Sequence, residues 1–377
     1  MPAYIGVNGK AKGIAKVYKG NSEGNAELIW RPKGIVRYTG NIVNLSIGRY
    51  WVEATTVGNY ALFGGGVSGS GSNLTYQSTV DAYDSSLTRT TATALSVARD
   101  MLAATTVGNY ALFGGGGATK GTYYPTVDAY NTSLTRTTAT MLRNKKYHIT
   151  ATTVGDHALF GGGFGIISGT RTNYYSTVDA YNTSLTQTTV TNLSAARYMM
   201  PATTVGNYAL FGGGCSRNKS TTQYYDTVDA YNTSLTRTTA TPLSKARYYH
   251  AATTVGNHAL FGGGFSKIND SNTYYDTVDA YNTSLTRTTA TPLSKARYMA
   301  QTTTIGNYAL FGGGSSNRGS GNTVDVYDTS LTRTTVTNLS IYRYMHAATT
   351  VGNYALFGGG FGGSGAPSTV EAYYVWE

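Results

Sequence analysis

Cysteine is all but missing, with one residue, Cys215, in a chain of 377. A lone thiol closes no internal disulfide and has no second cysteine for a zinc site, which excludes both classes. Its neighbours, Cys-Ser-Arg-Asn-Lys-Ser, read as a polar loop. Long apolar runs are missing too: none approaches the roughly 18 residues of a membrane helix, so no membrane span is expected. Residues 1–10 lack a basic stretch leading into an apolar core, so no secretory signal is expected and synthesis in a bacterial cytoplasm is. Charge is sparse, at 12% of residues, and no stretch keeps a helical period, which argues against a helical protein. Clustered metal ligands are not legible among five histidines. His157 and His258 merely replace the Tyr of a repeated Asn-Tyr-Ala-Leu, and His148, His250 and His346 fall in separate units. The glycine runs are not followed by Lys-Ser or Lys-Thr, so no phosphate loop is indicated. No nucleophile–base arrangement or carboxylate pair stands out. No catalytic residue, metal or cofactor is therefore assigned, and the chain is expected not to be an enzyme.

What the chain has is glycine, 47 residues, tyrosine, 33, and a repeat. The string Ala-Leu-Phe-Gly-Gly-Gly recurs seven times, its first glycine at Gly64, Gly114, Gly161, Gly212, Gly262, Gly312 and Gly358, at spacings of 50, 47, 51, 50, 50 and 46. Each copy continues through a variable stretch to Thr-Val-Asp-Ala-Tyr or a close variant, then Ser-Leu-Thr-Arg-Thr-Thr, then an Arg-Tyr segment leading to the next Ala-Thr-Thr-Val-Gly-Asn. In one copy, residues 249–255, 258–261, 277–281 and 286–293 are rich in Thr, Val, Tyr and Phe and are separated by turn signals. Four strands in a unit of this length make a propeller blade. The expected fold is all-β, a seven-bladed β-propeller of four-stranded blades. The seventh copy stops before its fourth strand, whereas residues 35–50 match the fourth strand and exit of the others. The N-terminal strand is thus predicted to pair into the last blade and close the ring, removing two exposed sheet edges. Domains are assigned as an arm, 1–33, and a propeller, 34–377.

Residues present in every copy read as structure. Asp81, Asp128, Asp179, Asp229, Asp279, Asp325 and Glu371 are expected to be hydrogen-bonding groups of the blades, and Arg89, Arg136, Arg237, Arg287 and Arg333 to be charged guards of the outer strand. Variation reads as function. The first-to-second and third-to-fourth turns hardly change, while the second-to-third loop and the connection between blades differ in every copy. These variable segments emerge on one face, and binding residues favour such loops on a rigid frame. Candidate ligand-binding residues there are Tyr50, Trp51, His148, Tyr198, Tyr249, His250, Tyr298, Tyr344 and His346, with Arg99, Arg197, Arg247, Arg297 and Arg343. Aromatic and hydroxyl groups suit a glycan or a protein surface. For the Tyr-Tyr pairs that end the long loops, and for the arginines, packing within the ring stays open as the other reading.

Ala-Leu-Phe-Gly-Gly-Gly, the following Tyr (Tyr83, Tyr130, Tyr181, Tyr231, Tyr281, Tyr327, Tyr373) and the Arg opening the next unit (with Arg49, and Lys146 in the odd copy) together resemble the kelch type of propeller. The Trp that kelch units carry some six residues after the Tyr is replaced here by Leu-Thr-Arg. The resemblance implies a scaffold or binding module and, from peptide-binding relatives, ligand contact by the arginines. Residues 1–33 carry six basic and two acidic residues and are too few for a core of their own. In Ala-Tyr-Ile-Gly-Val-Asn-Gly-Lys-Ala-Lys-Gly-Ile (3–14) and Val-Tyr-Lys-Gly (17–20) they resemble openings of tail-associated proteins of phages and prophages of Gram-positive bacteria, which implies an attachment or oligomerisation arm. The resulting expectation is a virion protein of the tail, baseplate or fibre. Other virion proteins would meet the arm, and a host-surface glycan or protein would meet the variable face; a homo-oligomer stays open. A structural virion protein, a bacterial kelch-type scaffold and a carbohydrate enzyme are the alternatives. The formal charge of +11 is spread along the chain, so nucleic acid is not the expected partner.

Overall fold

The computed structural model describes residues 34–375, apart from 120, 169–170, 219–220, 270, 318 and 364, and four short strands within residues 1–33. Those four pair as two hairpins, Ile5–Val7 with Lys10–Lys12 and Val17–Gly20 with Ala26–Trp30. The side chains of the arm, and with them its reading as an attachment segment, lie outside the described residues. From Val36 onward the chain forms seven four-stranded antiparallel sheets, with no helix among the described residues. The first strands of successive blades touch one another all the way round, from Glu53–Val57 to Ala347–Val351 and back, so they line the axis of a seven-bladed propeller.

Blade 5 shows the pattern: Ala251–Val255, His258–Gly262, Val278–Asn282 and Arg287–Ala290, from the axis outward. Its first strand starts two residues later than the sequence suggested because Tyr249 takes a left-handed φ of 53°, which no strand tolerates. Its last strand ends at Ala290, since Leu293 leaves the ladder, gives its N–H to the Asp276 carbonyl and is buried. Blade 7 is assembled from both ends of the chain, as predicted: Val36–Ile42 pairs with Val370–Val375.

Three repeated contacts explain the consensus. In each blade the second-strand Phe meets the third-strand Tyr edge-on, with ring centroids 5.8 Å apart for Phe63 and Tyr83, and the Tyr hydroxyl donates to a carbonyl of the preceding connection, Val43 in this case. The first glycine of each triplet is pressed by the Phe of the next blade: a Cβ on Gly212 would lie 2.7 Å from Phe261 and one on Gly358 2.9 Å from Phe63. The glycine is thus a socket between blades. Around the axis, seven Thr–Thr hydrogen bonds of 2.6–3.0 Å join each blade to the next, the last between Thr56 and Thr349.

The two faces differ. On one, the Val-Gly-Asn turn of a blade packs on the Asn-Thr-Ser turn of the next; a Cβ on Gly58 would lie 3.0 Å from Thr132. On the other, the variable loops of blades 1, 3, 4, 5 and 6 are two-stranded hairpins, such as Cys215–Asn218 with Thr221–Tyr224 and Phe265–Ile268 with Ser271–Tyr274, while those of blades 2 and 7 show isolated bridges among the described residues. Cys215 accordingly begins a strand and is 1% exposed, and burial pushes its thiol up to about 12, far from a reactive cysteine in a polar loop.

Candidate functional site

The arginines of the variable face do not reach its surface. Arg99, Arg197, Arg247 and Arg343 are fully buried and Arg297 is 3% exposed, so the ligand contact expected of them is corrected. Each reaches back into its own blade, as does Arg49: Nη2 meets the third-strand carboxylate at 2.6–2.8 Å, on Asp81, Asp128, Asp229, Asp279, Asp325 or Glu371. In five blades the other carboxylate oxygen binds the fourth-strand arginine at 2.8–2.9 Å, so Arg89 and its equivalents are ion-pair partners rather than edge guards alone. The repeated carboxylates are blade-holding groups, as expected. Blade 3 departs three times and compensates: Lys146 replaces the buried arginine, Gln187 the outer one, and Arg143 supplies a new pair to Asp179 at 2.6 Å. In blade 7, Tyr38 of the N-terminal strand donates to Glu371 at 2.6 Å where the outer arginine would stand.

His250 and His346 are corrected as well. They occupy the column held elsewhere by Val52, Leu102, Ile149, Met200 and Ala300, are 5% and 1% exposed, and are held neutral by burial and by the neighbouring Arg247 and Arg343. They are core residues. Tyr50, Tyr198, Tyr298 and Tyr344 are half-buried in an outer ring, where their backbones bridge to the first residue of the blade's hairpin or loop. Tyr198 and Tyr298 pack with tilted rings against hairpin residues Tyr174 and Tyr274 of the preceding blade, at 5.3 and 5.6 Å between centroids. The Tyr-Tyr pairs therefore serve, through their first member, in packing between blades. Asp100 stands in this tyrosine column alone, and burial pushes its carboxyl up to about 7.

The residue after that column is the inner ring of the face. Trp51, Met101, His148, Met199, Tyr249, Met299 and Met345, one per blade, all have φ between 49 and 56°, a conformation unusual for bulky side chains. Backbone hydrogen bonds link them across blades, from Trp51 N–H to Met345, His148 to Met101, Tyr249 to Met199 and Met299 to Tyr249, at 2.8–3.0 Å. This turn aims the side chains over the axis. Trp51, His148 and Tyr249, from blades 1, 3 and 5, converge there: the Trp51 ring centroid lies 5.2 Å from His148 and 6.3 Å from Tyr249, and His148 lies 6.3 Å from Tyr249. The three candidates that sequence spacing could only scatter are thus brought together, with methionines between them. Burial holds His148 neutral, its pKa pushed down to about 3, and raises the Tyr249 hydroxyl.

Beneath this lid lies a cavity of about 290 Å³ at the mouth of the axial channel. Its walls are mostly Ala, Ile, Met and Pro, with Glu53, Thr150 and Gln301 among them. The sequence reading named Glu53 only as part of a variable connection. It opens the first strand of blade 1, in a column that is Ala103, Ala251 and Ala347 in blades 2, 5 and 7 and Pro201 just ahead of the strand in blade 4. Burial with no compensating partner pushes its carboxyl from 4.5 up to about 8.

No family model matches this chain and no curated protein does. Among solved structures, the one named "Structure of YjhT" aligns over 78% of this chain and 99% of its own with a TM-score of 0.60 at 11% identity, a likeness of fold.

Proposed function

We propose that this chain is a non-enzymatic binding propeller of a phage or prophage tail, baseplate or fibre, which turns its lidded mouth toward a host-surface ligand, a polysaccharide first. The observation that carries the reading is the inner ring. Seven bulky residues hold the same left-handed backbone while their side chains change from blade to blade, and strain held at one point of a frame is a mark of functional sites. The buried arginines and the closed turns of the opposite face give the rigid support that a recognition surface needs.

The direction of the chain fits display. Val36 pairs with Val375 at the end of the third strand remote from the mouth, so whatever precedes Gly34 leaves from the opposite side of the ring. The resemblance of residues 1–33 to tail-associated openings supplies the setting. The test is saturable binding of the labelled full chain to intact Gram-positive cells, before and after enzymatic removal of surface polysaccharide. Binding that disappears on stripping, and that Trp51→Ala or Tyr249→Ala reduces by about tenfold or more at unchanged melting temperature, is the expected result. Binding untouched by either substitution overturns it.

A further inference from the structure

The protein as a whole is basic, yet no Lys or Arg lines the cavity under the lid, whose polar lining is Glu53, Thr150, Gln301, Thr302 and the neutral His250. The buried arginines nearest the face are committed to their blade carboxylates at 2.6–2.8 Å. Glu53, Thr150 and Gln301 line the cavity, and their side chains make no hydrogen bond or ion pair with any other described residue. All three depart from the alanine that this column carries in blades 2, 5 and 7. Trp51 and Tyr249, whose rings can attract a cation, line it as well, with Met199, Met299 and Met345 of the inner ring.

A carboxylate, a hydroxyl and an amide oxygen under an aromatic lid suit a donor-only cation with several N–H groups. A neutral sugar hydroxyl leaves Glu53 protonated, whereas a cation beside it favours release of that proton and so draws out its own counter-ion. We propose that the axial mouth binds a protonated primary amine, with Glu53 as its counter-ion and Trp51 and Tyr249 as its cation–π partners. The inference rests on the mouth being the binding face and names the chemistry it selects.

The test is calorimetric titration of the full-length protein with glucosamine, N-acetylglucosamine and glucose, three sugars that differ at one position in charge, and with Nα-acetyl-lysine amide as an amine on another carrier. Glucosamine is expected to bind about tenfold or more tighter than its two neutral analogues, and Glu53→Gln, which keeps size and shape, to remove that preference. Tighter binding of the lysine derivative supports the amine and shifts its carrier from sugar to peptide. Equal binding of the three sugars, no binding of either amine, or full amine preference in a folded Glu53→Gln overturns the assignment. Each of those results leaves the cell-binding test above standing on its own, and loss of cell binding by Trp51→Ala would still identify the face.

Discussion

The molecule contains two rings of left-handed residues, and they teach opposite lessons. At the third-to-fourth turns, Leu87, Leu134, Leu185, Leu235, Leu285 and Leu331 have φ between 60 and 64°; at the mouth, Trp51 and its six counterparts have φ between 49 and 56°. The backbone strain is of one kind. The side chains are not: every turn position is Leu and each packs against an apolar cluster between blades, whereas the mouth positions hold Trp, Met, His and Tyr. Strain repeated with one side chain is explained by the contact it makes. Strain repeated with changing side chains leaves the backbone as the shared requirement and the side chain free for selection by a ligand.

Three substitutions sharpen this contrast between frame and mouth. The largest effect is expected in the frame: Arg247→Met leaves Asp279 buried without its inner partner and should cost about 3–5 kcal/mol in denaturant unfolding. A loss below about 1 kcal/mol would show that the buried pairs do not hold the blades. Next come the two rings compared directly. Leu235→Ala should lower stability by about 1–2 kcal/mol, through lost packing, while Met199→Ala stays within about 0.5 kcal/mol of the parent. Equal losses would erase the distinction.

The smallest effect has the opposite sign. Glu53 is raised from 4.5 to about 8, so the folded state holds its proton where the unfolded state has released it. Its contribution to stability therefore falls as pH rises from about 4.5 through about 8. Glu53→Gln should be the more stable protein at pH 8.5 and level with the parent at pH 4, by a margin that the half-buried position of Glu53 keeps modest. A melting temperature difference that does not change between those two pH values would contradict the raised carboxyl of Glu53.

Blade number and ring closure were legible because a repeat compares itself: Gly64 through Gly358 count the blades, and the fourth strand missing at the C-terminus matches residues 35–50. The fate of the arginines was not legible. A long cation in every copy looks the same in sequence whether it reaches solvent or bends back under its blade, and only the distances to Asp81 and its equivalents decide. The meeting of Trp51, His148 and Tyr249 was hidden by separation, since His148 lies 97 positions after Trp51 and Tyr249 another 101 after it, and only closure of the ring places their turns over one axis. Glu53 carried a signal that was readable in principle: aligned copy against copy, it is the one acid in its column, as Asp100 is in the tyrosine column.

The lid has a further property that follows from parity. Around the mouth the aromatic residues alternate with methionine through blades 1 to 6, but two kinds of member cannot alternate around an odd ring. One pair of neighbours must match, and it falls between blades 6 and 7, where Met299 and Met345 stand side by side. A sevenfold frame has no preferred azimuth; this mismatch and the three different aromatic residues supply one. On the binding role proposed above, a guest in the mouth would be given a heading as well as a seat.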